Sequence, residues 1–107
     1  MAKAPTSEAR EKVRAVVPKL IDATEQWLFG DIWERPELSK RDRSLITVAV
    51  LVATYRPEQL KGHLGRALHN GVTKAELSEL ITHVAFYAGW PAAMSAAGIA
   101  KGVFEEE

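Results

Sequence analysis

The sequence predicts an all-α fold, a compact domain of about six helices. Apolar residues recur at helical spacing along most of the chain, as in the set Leu60, Leu64, Ala67 and Leu68. No alternating pattern typical of a strand extends beyond about four residues. The length of 107 residues fits one small domain, which we place at residues 7–107, after a flexible N-terminus of residues 1–6.

The first helix is predicted to start near Ser7 and to stop before Pro18, because proline is best tolerated in a first helical turn. Pro18 then opens a second helix that runs to about Phe29 and ends at Gly30. We interpret residues 30–38 as a structured loop, in which Trp33 and Leu38 need packing partners. The positions of the two helices that we expect to face the core are Val13, Val16, Val17, Leu20, Ile21, Trp27 and Leu28.

A third helix is predicted from Ser39, with Asp42 supporting its first turn, to about Tyr55. Its second half, residues 45–53, is interrupted only by Thr47 and is apolar on every side. Such a helix has no polar face to expose to water, so other parts of the protein must cover it on all sides. Because so short a chain can bury little apolar area by itself, we expect partner subunits to help, which predicts a homo-oligomer.

Three further helices follow. Pro57 lies at the start of the fourth, which stops at Asn70 and Gly71, where glycine can adopt the left-handed cap conformation. The fifth begins with a capping box formed by Thr73 and Glu76, and ends at Gly89. The sixth begins near Pro91 and is rich in alanine, which permits close helix approach. The buried positions expected on the fifth helix are Leu77, Leu80, Ile81, Val84 and Ala88.

The composition excludes several classes of function. Lys plus Arg equals Asp plus Glu, at 14 each, so no basic excess is available for a nucleic acid. The chain has no cysteine, which rules out thiolate nucleophiles, thiolate metal ligands and dithiol redox cycles. The apolar run of residues 45–53 is too short to cross a membrane. Since residues 1–6 lack the apolar core of a secretory signal, the predicted location is cytoplasmic.

His63 is the main catalytic candidate. It falls on the apolar stripe of the fourth helix, one residue before Leu64, so a titratable ring is placed among apolar neighbours. The alternative is a core histidine with a structural role. His69 lies on a different face and cannot pair with His63 around a metal, while His83 and Tyr87, four residues apart, can line a pocket or bond to each other. We predict no metal site.

Four blocks of sequence occur in a characteristic order and spacing. They are Gly30-Asp31-Ile32-Trp33 with Arg35-Pro36, Arg43-Ser44-Leu45-Ile46-Thr47, Leu60-Lys61-Gly62-His63-Leu64 through Asn70-Gly71-Val72-Thr73, and Tyr87-Ala88-Gly89-Trp90-Pro91-Ala92-Ala93. Taken together, these blocks resemble the carboxymuconolactone decarboxylase family, and the resemblance spans about residues 28–103. It implies an all-helical, alkylhydroperoxidase-like fold, assembly into trimers or hexamers, and decarboxylation without metal or organic cofactor.

A second branch of this fold, the alkylhydroperoxidase-like proteins, carries two cysteines before the matching histidine. Here Arg56 and Gln59 stand at those positions, so thiol peroxidase activity is disfavoured. The decarboxylase branch keeps the histidine without the cysteines, as this chain does. Its members often carry an arginine two residues after the histidine, where this chain has Gly65, and the arginine here is Arg66.

The resemblance implies removal of carbon dioxide from a small carboxylated lactone similar to 4-carboxymuconolactone, in the breakdown of aromatic compounds. His63 is then the acid that protonates the dienolate, and Arg43 is the candidate for binding a substrate carboxylate, with a surface ion pair as its alternative. Two alternatives remain for the whole protein: a non-catalytic or ligand-binding helical oligomer, and a proton-transfer isomerase. The other substrate-binding candidates are Gln59, Trp33, Trp90 and Tyr87.

Overall fold

The computed structural model describes residues 7–106, and in that range the prediction of an all-helical fold is confirmed. The predicted flexible segment, residues 1–6, lies outside the described residues. No described helix is long and apolar enough to cross a membrane. The six α-helices of the described range are α1 (Ser7–Arg14), α2 (Pro18–Ala23), α3 (Lys40–Ala53), α4 (Pro57–His69), α5 (Lys74–Ala88) and α6 (Trp90–Glu105).

The described chain divides into two compact units, and the first comprises residues 7–40. Pro18 opens α2 as predicted, but after Ala23 the helix widens into a π-helical turn, Thr24–Leu28. Arg14 at the end of α1 ties the two helical segments together, because its guanidinium donates to Asp22 at 3.0 Å and to Glu25 at 2.7 Å. Exposed ion pairs of this kind contribute little stability one by one.

The core predicted for the first unit is largely wrong. Of the seven apolar positions, only Ile21 is buried, while Val16, Leu20 and Trp27 are each more than 60 % exposed. Val13, Val17 and Leu28 are exposed as well. Helical periodicity located an apolar face on these short helices, but periodicity does not guarantee that the chain covers such a face.

The loop of residues 30–38 contains a short 3-10 helix, Ile32–Glu34. Trp33 is buried and its ring lies 5.9 Å from that of Phe29, so one expected packing partner is found. Leu38, in contrast, stays 41 % exposed. The loop is therefore anchored by the tryptophan.

The second unit, residues 41–106, contains the main hydrophobic core. Helix α6 packs most closely against α5 and α4, since its inner positions are alanines that allow a short distance between helix axes. Lys74 at the start of α5 donates to the carbonyl oxygen of Phe104 in α6 at 3.1 Å. The buried residues of this core are Val48, Val52, Leu60, Leu64, Ala67, Val72, Leu77, Ile81, Val84, Ala85, Ala93, Ala96, Ala100 and Val103.

Helix α3 is not surrounded within the chain. Val48 and Val52 are fully buried, but Ile46 is 51 % and Val50 is 52 % exposed. The described residues of one chain thus cover only part of the apolar second half of α3, and its enclosure with the help of partner subunits stays a prediction. One apolar side of the helix faces away from the core.

The boundaries of the last three helices follow the predicted signals. Pro57 lies in the first turn of α4, and Gly71, after its end, has φ +96°. At the start of α5 the Thr73 hydroxyl accepts from the Glu76 amide at 3.0 Å, while the Glu76 carboxylate accepts from the Thr73 amide at 2.9 Å. The predicted capping box is thus confirmed. Three of the five positions expected to be buried on α5, Leu77, Ile81 and Val84, are buried, Leu80 is half-buried and Ala88 is exposed.

We predict opposite effects for two glycine substitutions. Gly71→Ala should lower the free energy of unfolding by about 1 kcal/mol, because its positive φ strains any side chain although no atom blocks the space. Gly98→Ala, in the middle of α6 and equally open, should raise it by up to about 1 kcal/mol through helix propensity. Urea unfolding at one fixed protein concentration measures both, and equal shifts for the two variants would contradict the assignment of the cap.

Candidate active site

His63 lies in the middle of α4, on the side of the helix that faces the core. Leu60 and Leu64 are fully buried beside it, and Ala67 follows one turn later. The imidazole is half-buried, and its Nδ1 atom is buried. The structure therefore places a titratable ring at the edge of the core, with part of its surface exposed.

Arg66 is the charged residue that acts on His63. The two residues are three apart on α4 and share one side of the helix. Burial lowers the pKa of His63 below its ordinary value, and the positive charge of Arg66 lowers it further. Arg66 is itself half-buried, with its Nε atom buried. Both effects favour the neutral imidazole.

Arg43 lies near the C-terminal end of α4. The neighbouring Ser44 is buried, and its hydroxyl oxygen accepts from the side-chain amide of Asn70 at 3.0 Å, which fixes the start of α3 against the end of α4. Arg43 is half-buried, with a buried Nε atom. Asn70 follows His63 by seven residues, which is about 10 Å along a helix axis. Because Arg43 precedes Ser44, its backbone lies near the Asn70 end of α4 and not at the level of His63.

The other predicted substrate-binding residues differ in burial. Gln59 is exposed one turn before His63 on α4. Trp90 is 56 % exposed and packs edge-to-face against Phe86, with ring centroids 5.1 Å apart. Trp33 is buried in the unit of residues 7–40.

Tyr87 lines an open groove of about 360 Å³ between α3 and α5. Its ring lies 5.0 Å from that of His83, and both residues line the groove, which is one of the two arrangements expected for them. Ala49, Val50 and Ala53 form the α3 wall of the groove. This groove and two smaller cavities in the described range are all lined without His63.

Within residues 7–106, no three His, Asp or Glu side chains are grouped so that they could hold a metal ion.

The protein-family model that matches this chain is that of the carboxymuconolactone decarboxylase family, over residues 18–102. The chain belongs to this family. The match includes His63, Arg66 and all of α2 to α5, and it reaches further toward the N-terminus than the four sequence blocks.

The relatives of this family member include two named decarboxylases. A 4-carboxymuconolactone decarboxylase from Acinetobacter baylyi is 46 % identical over 81 residues, which cover 76 % of the chain and 60 % of that protein. A nitrosuccinic acid decarboxylase from Metarhizium robertsii is 35 % identical over 71 residues, which cover 66 % of the chain and 50 % of that protein. The matched region thus spans 50–60 % of the length of these two relatives. An uncharacterized 15.0 kDa protein from Paracoccus denitrificans is 33 % identical over 92 % of the chain and 73 % of its own length.

Arg66 is not among the site residues that the sequence predicts. Family members often have an arginine two residues after the histidine, and Arg66 lies one position beyond that place. The signal that identifies it is the spacing of three residues, which places two side chains on one side of a helix.

The lowered pKa of His63 predicts a pH effect on stability. The unfolded chain binds the His63 proton more tightly than the folded chain, so the free energy of unfolding falls as the pH drops below about 6.5 and is unaffected well above it. His63→Gln should remove this contribution and lose less stability than the wild type between about pH 7 and pH 5. Urea unfolding across that range measures the slope, with Lys61→Gln, on an exposed position of the same helix, as the control. A His63→Gln slope equal to that of the wild type would refute the coupling.

Proposed function

We propose that this protein is a cofactor-independent decarboxylase that acts on a small carboxylated lactone similar to 4-carboxymuconolactone. The observation that carries the proposal is the half-buried His63 with a lowered pKa, found in a chain that is 46 % identical to a 4-carboxymuconolactone decarboxylase over the matched region. The absence of cysteine argues against the thiol peroxidase chemistry of the related branch.

The reaction requires little covalent chemistry from the protein. The bond between the substrate carbon and its carboxyl carbon breaks, and the electron pair moves through the ring double bond to the lactone carbonyl oxygen. Carbon dioxide leaves, and His63 as imidazolium donates its proton to the resulting dienolate. The neutral imidazole then recovers a proton from water. The substrate itself accepts the electron pair, so the protein supplies position, a dry surface and one proton.

The electrostatics of the site suit this role of His63. Without a ligand, the ring favours the neutral form because of burial and Arg66. A bound substrate anion supplies an opposite charge close to the ring, which raises the pKa of His63 and favours uptake of the proton that the reaction needs. The bound substrate thus favours the protonated form of His63, which is the form that acts as the acid.

Part of the site is expected to come from another subunit. The His63 ring is partly exposed in the single chain, and the larger groove lies elsewhere, so a neighbouring chain is needed to close the site over a substrate. We propose a homo-oligomer formed through an exposed apolar patch, defined here as the α3, α5 and α6 residues Ile46, Val50, Phe86, Tyr87, Trp90 and Met94. Each of these six residues is more than 50 % exposed, which is unusual for so many large apolar side chains in a small protein.

His63→Gln should abolish turnover of 4-carboxymuconolactone while helix content and assembly stay unchanged. The loss expected from removal of a general acid is about 100- to 10,000-fold. Ultraviolet absorbance of the lactone follows the reaction, and carbon dioxide release distinguishes decarboxylation from isomerisation. His69→Gln removes an exposed imidazole from the same helix and should retain activity. Wild-type protein without turnover would favour a binding role, and absorbance loss without carbon dioxide would favour an isomerase.

Val50→Glu should weaken assembly, because it places a charge in the apolar patch. Light scattering at micromolar concentration should give a mass above that of one chain for the wild type and a lower mass for the variant. Ala75→Glu, at an exposed position in the first turn of α5, adds the same charge outside the patch and should assemble normally. A monomeric wild type would contradict the proposed assembly.

A further inference from the structure

His83 and Tyr87 form a pair of polar rings on α5 that the proposed reaction does not use. Their ring centroids lie 5.0 Å apart, with an angle of 35° between the ring planes. Both side chains are exposed, and Tyr87 is 81 % exposed although its ring is largely apolar. Within residues 7–106, neither the imidazole of His83 nor the hydroxyl of Tyr87 has a hydrogen bond to another residue. Both groups are therefore available to a ligand.

The opposite wall of the groove, on α3, is built from small side chains. Ala49 and Ala53 are four residues apart and thus lie on one side of the helix, with Val50 beside them. Alanine methyl groups are too short to fill the space between α3 and α5, and this leaves the groove of about 360 Å³. Sites for small molecules usually have volumes of about 300–1,000 Å³. The groove is therefore large enough for a small organic molecule.

The lining of the groove indicates the chemistry of its ligand. On the α5 side, Val84 and Ala88 add apolar surface beside the two rings. None of the described residues that line the groove is Lys, Arg, Asp or Glu, so the groove offers no permanent charge to an ionic group. A mostly apolar lining with a few polar groups is typical of small-molecule sites, in which the polar groups orient the ligand. The two rings favour an aromatic ligand, since aromatic rings attract each other in offset and tilted arrangements.

A second copy of the chain is the other candidate for this place, because Val50 and Tyr87 belong to both the groove and the exposed apolar patch. A copy that filled the groove with apolar side chains would cover the His83 imidazole and the Tyr87 hydroxyl. Covering polar groups without giving them hydrogen bonds is unfavourable. A ligand with a hydroxyl group of its own avoids this cost, so the polar atoms of the groove favour the small molecule.

We propose that the groove between α3 and α5 binds a small, uncharged aromatic compound that carries a hydroxyl group. The ligand ring lies between the alanines of α3 and the rings of His83 and Tyr87, and its hydroxyl group bonds to the polar atoms of these two side chains. The groove is lined without His63, so this site is distinct from the candidate active site. The inference therefore does not rest on the proposed decarboxylase activity.

Binding of 4-methylphenol to the full chain is the first test, with toluene and 4-methylbenzoate as matched compounds. In nuclear magnetic resonance spectra, 4-methylphenol should shift the imidazole signals of His83 and leave those of His63 and His69 unchanged. It should bind about three- to tenfold more tightly than toluene, which lacks the hydroxyl group. It should also bind more tightly than 4-methylbenzoate, whose carboxylate finds no fixed cation. Shifts at His63 instead of His83, or equal binding of the three compounds, would overturn the proposal.

Variants of the groove provide the second test. Ala53→Phe places a ring in the space between the helices and should abolish binding of both 4-methylphenol and toluene. Ala75→Phe adds the same ring at an exposed position of α5 outside the groove and should bind both compounds like the wild type. The double variant His83→Phe/Tyr87→Phe keeps two rings but removes the polar atoms, so it should bind 4-methylphenol no more tightly than toluene.

Circular dichroism checks that each variant keeps its helices. Binding that survives Ala53→Phe, or a preference for 4-methylphenol that survives in the double variant, would show that the ligand lies elsewhere. If the wild type forms an oligomer and binds neither compound, a second copy occupies the groove and the proposal is wrong.

Discussion

The packing of α4 against α6 determines most of what the candidate site can do. Leu60, Leu64 and Ala67 are buried on the inner side of α4, and the alanines of α6 let the helices come close. His63 lies next to this stripe and is half-buried there. Its partial burial, and hence its lowered pKa, is a consequence of core packing.

The charges around the site follow from that packing. An imidazole that is partly buried beside a cation has a lowered affinity for a proton, so burial and Arg66 together favour the neutral form of His63. In water the same two side chains would interact weakly, because solvent screens them. Because both side chains are half-buried, the charge of Arg66 is screened less and lowers the pKa of His63.

The apolar area outside the core is the second constraint. A chain of 107 residues buries a limited part of its surface, and here α3, α5 and α6 leave several large apolar side chains exposed. In α3 the apolar residues occupy all sides, and among the described residues Val48 and Val52 are buried in the core while Ile46 and Val50 stay about half exposed. The apolar residues of the sequence therefore form an exposed apolar surface as well as the core.

Local signals determined much of this protein from its sequence. Proline and glycine positions, the capping box and the helical periodicity predicted the helices from α4 to α6, because these effects act within a few residues. The four sequence blocks, taken together, predicted the family. Only the tertiary structure decided which apolar residues are buried, since Val16 and Leu20 have helical spacing but stay exposed in the part of the chain that the structure describes. It also decided that Arg66 acts on the His63 ring, because the strength of a charge depends on burial, and burial comes from packing between distant segments.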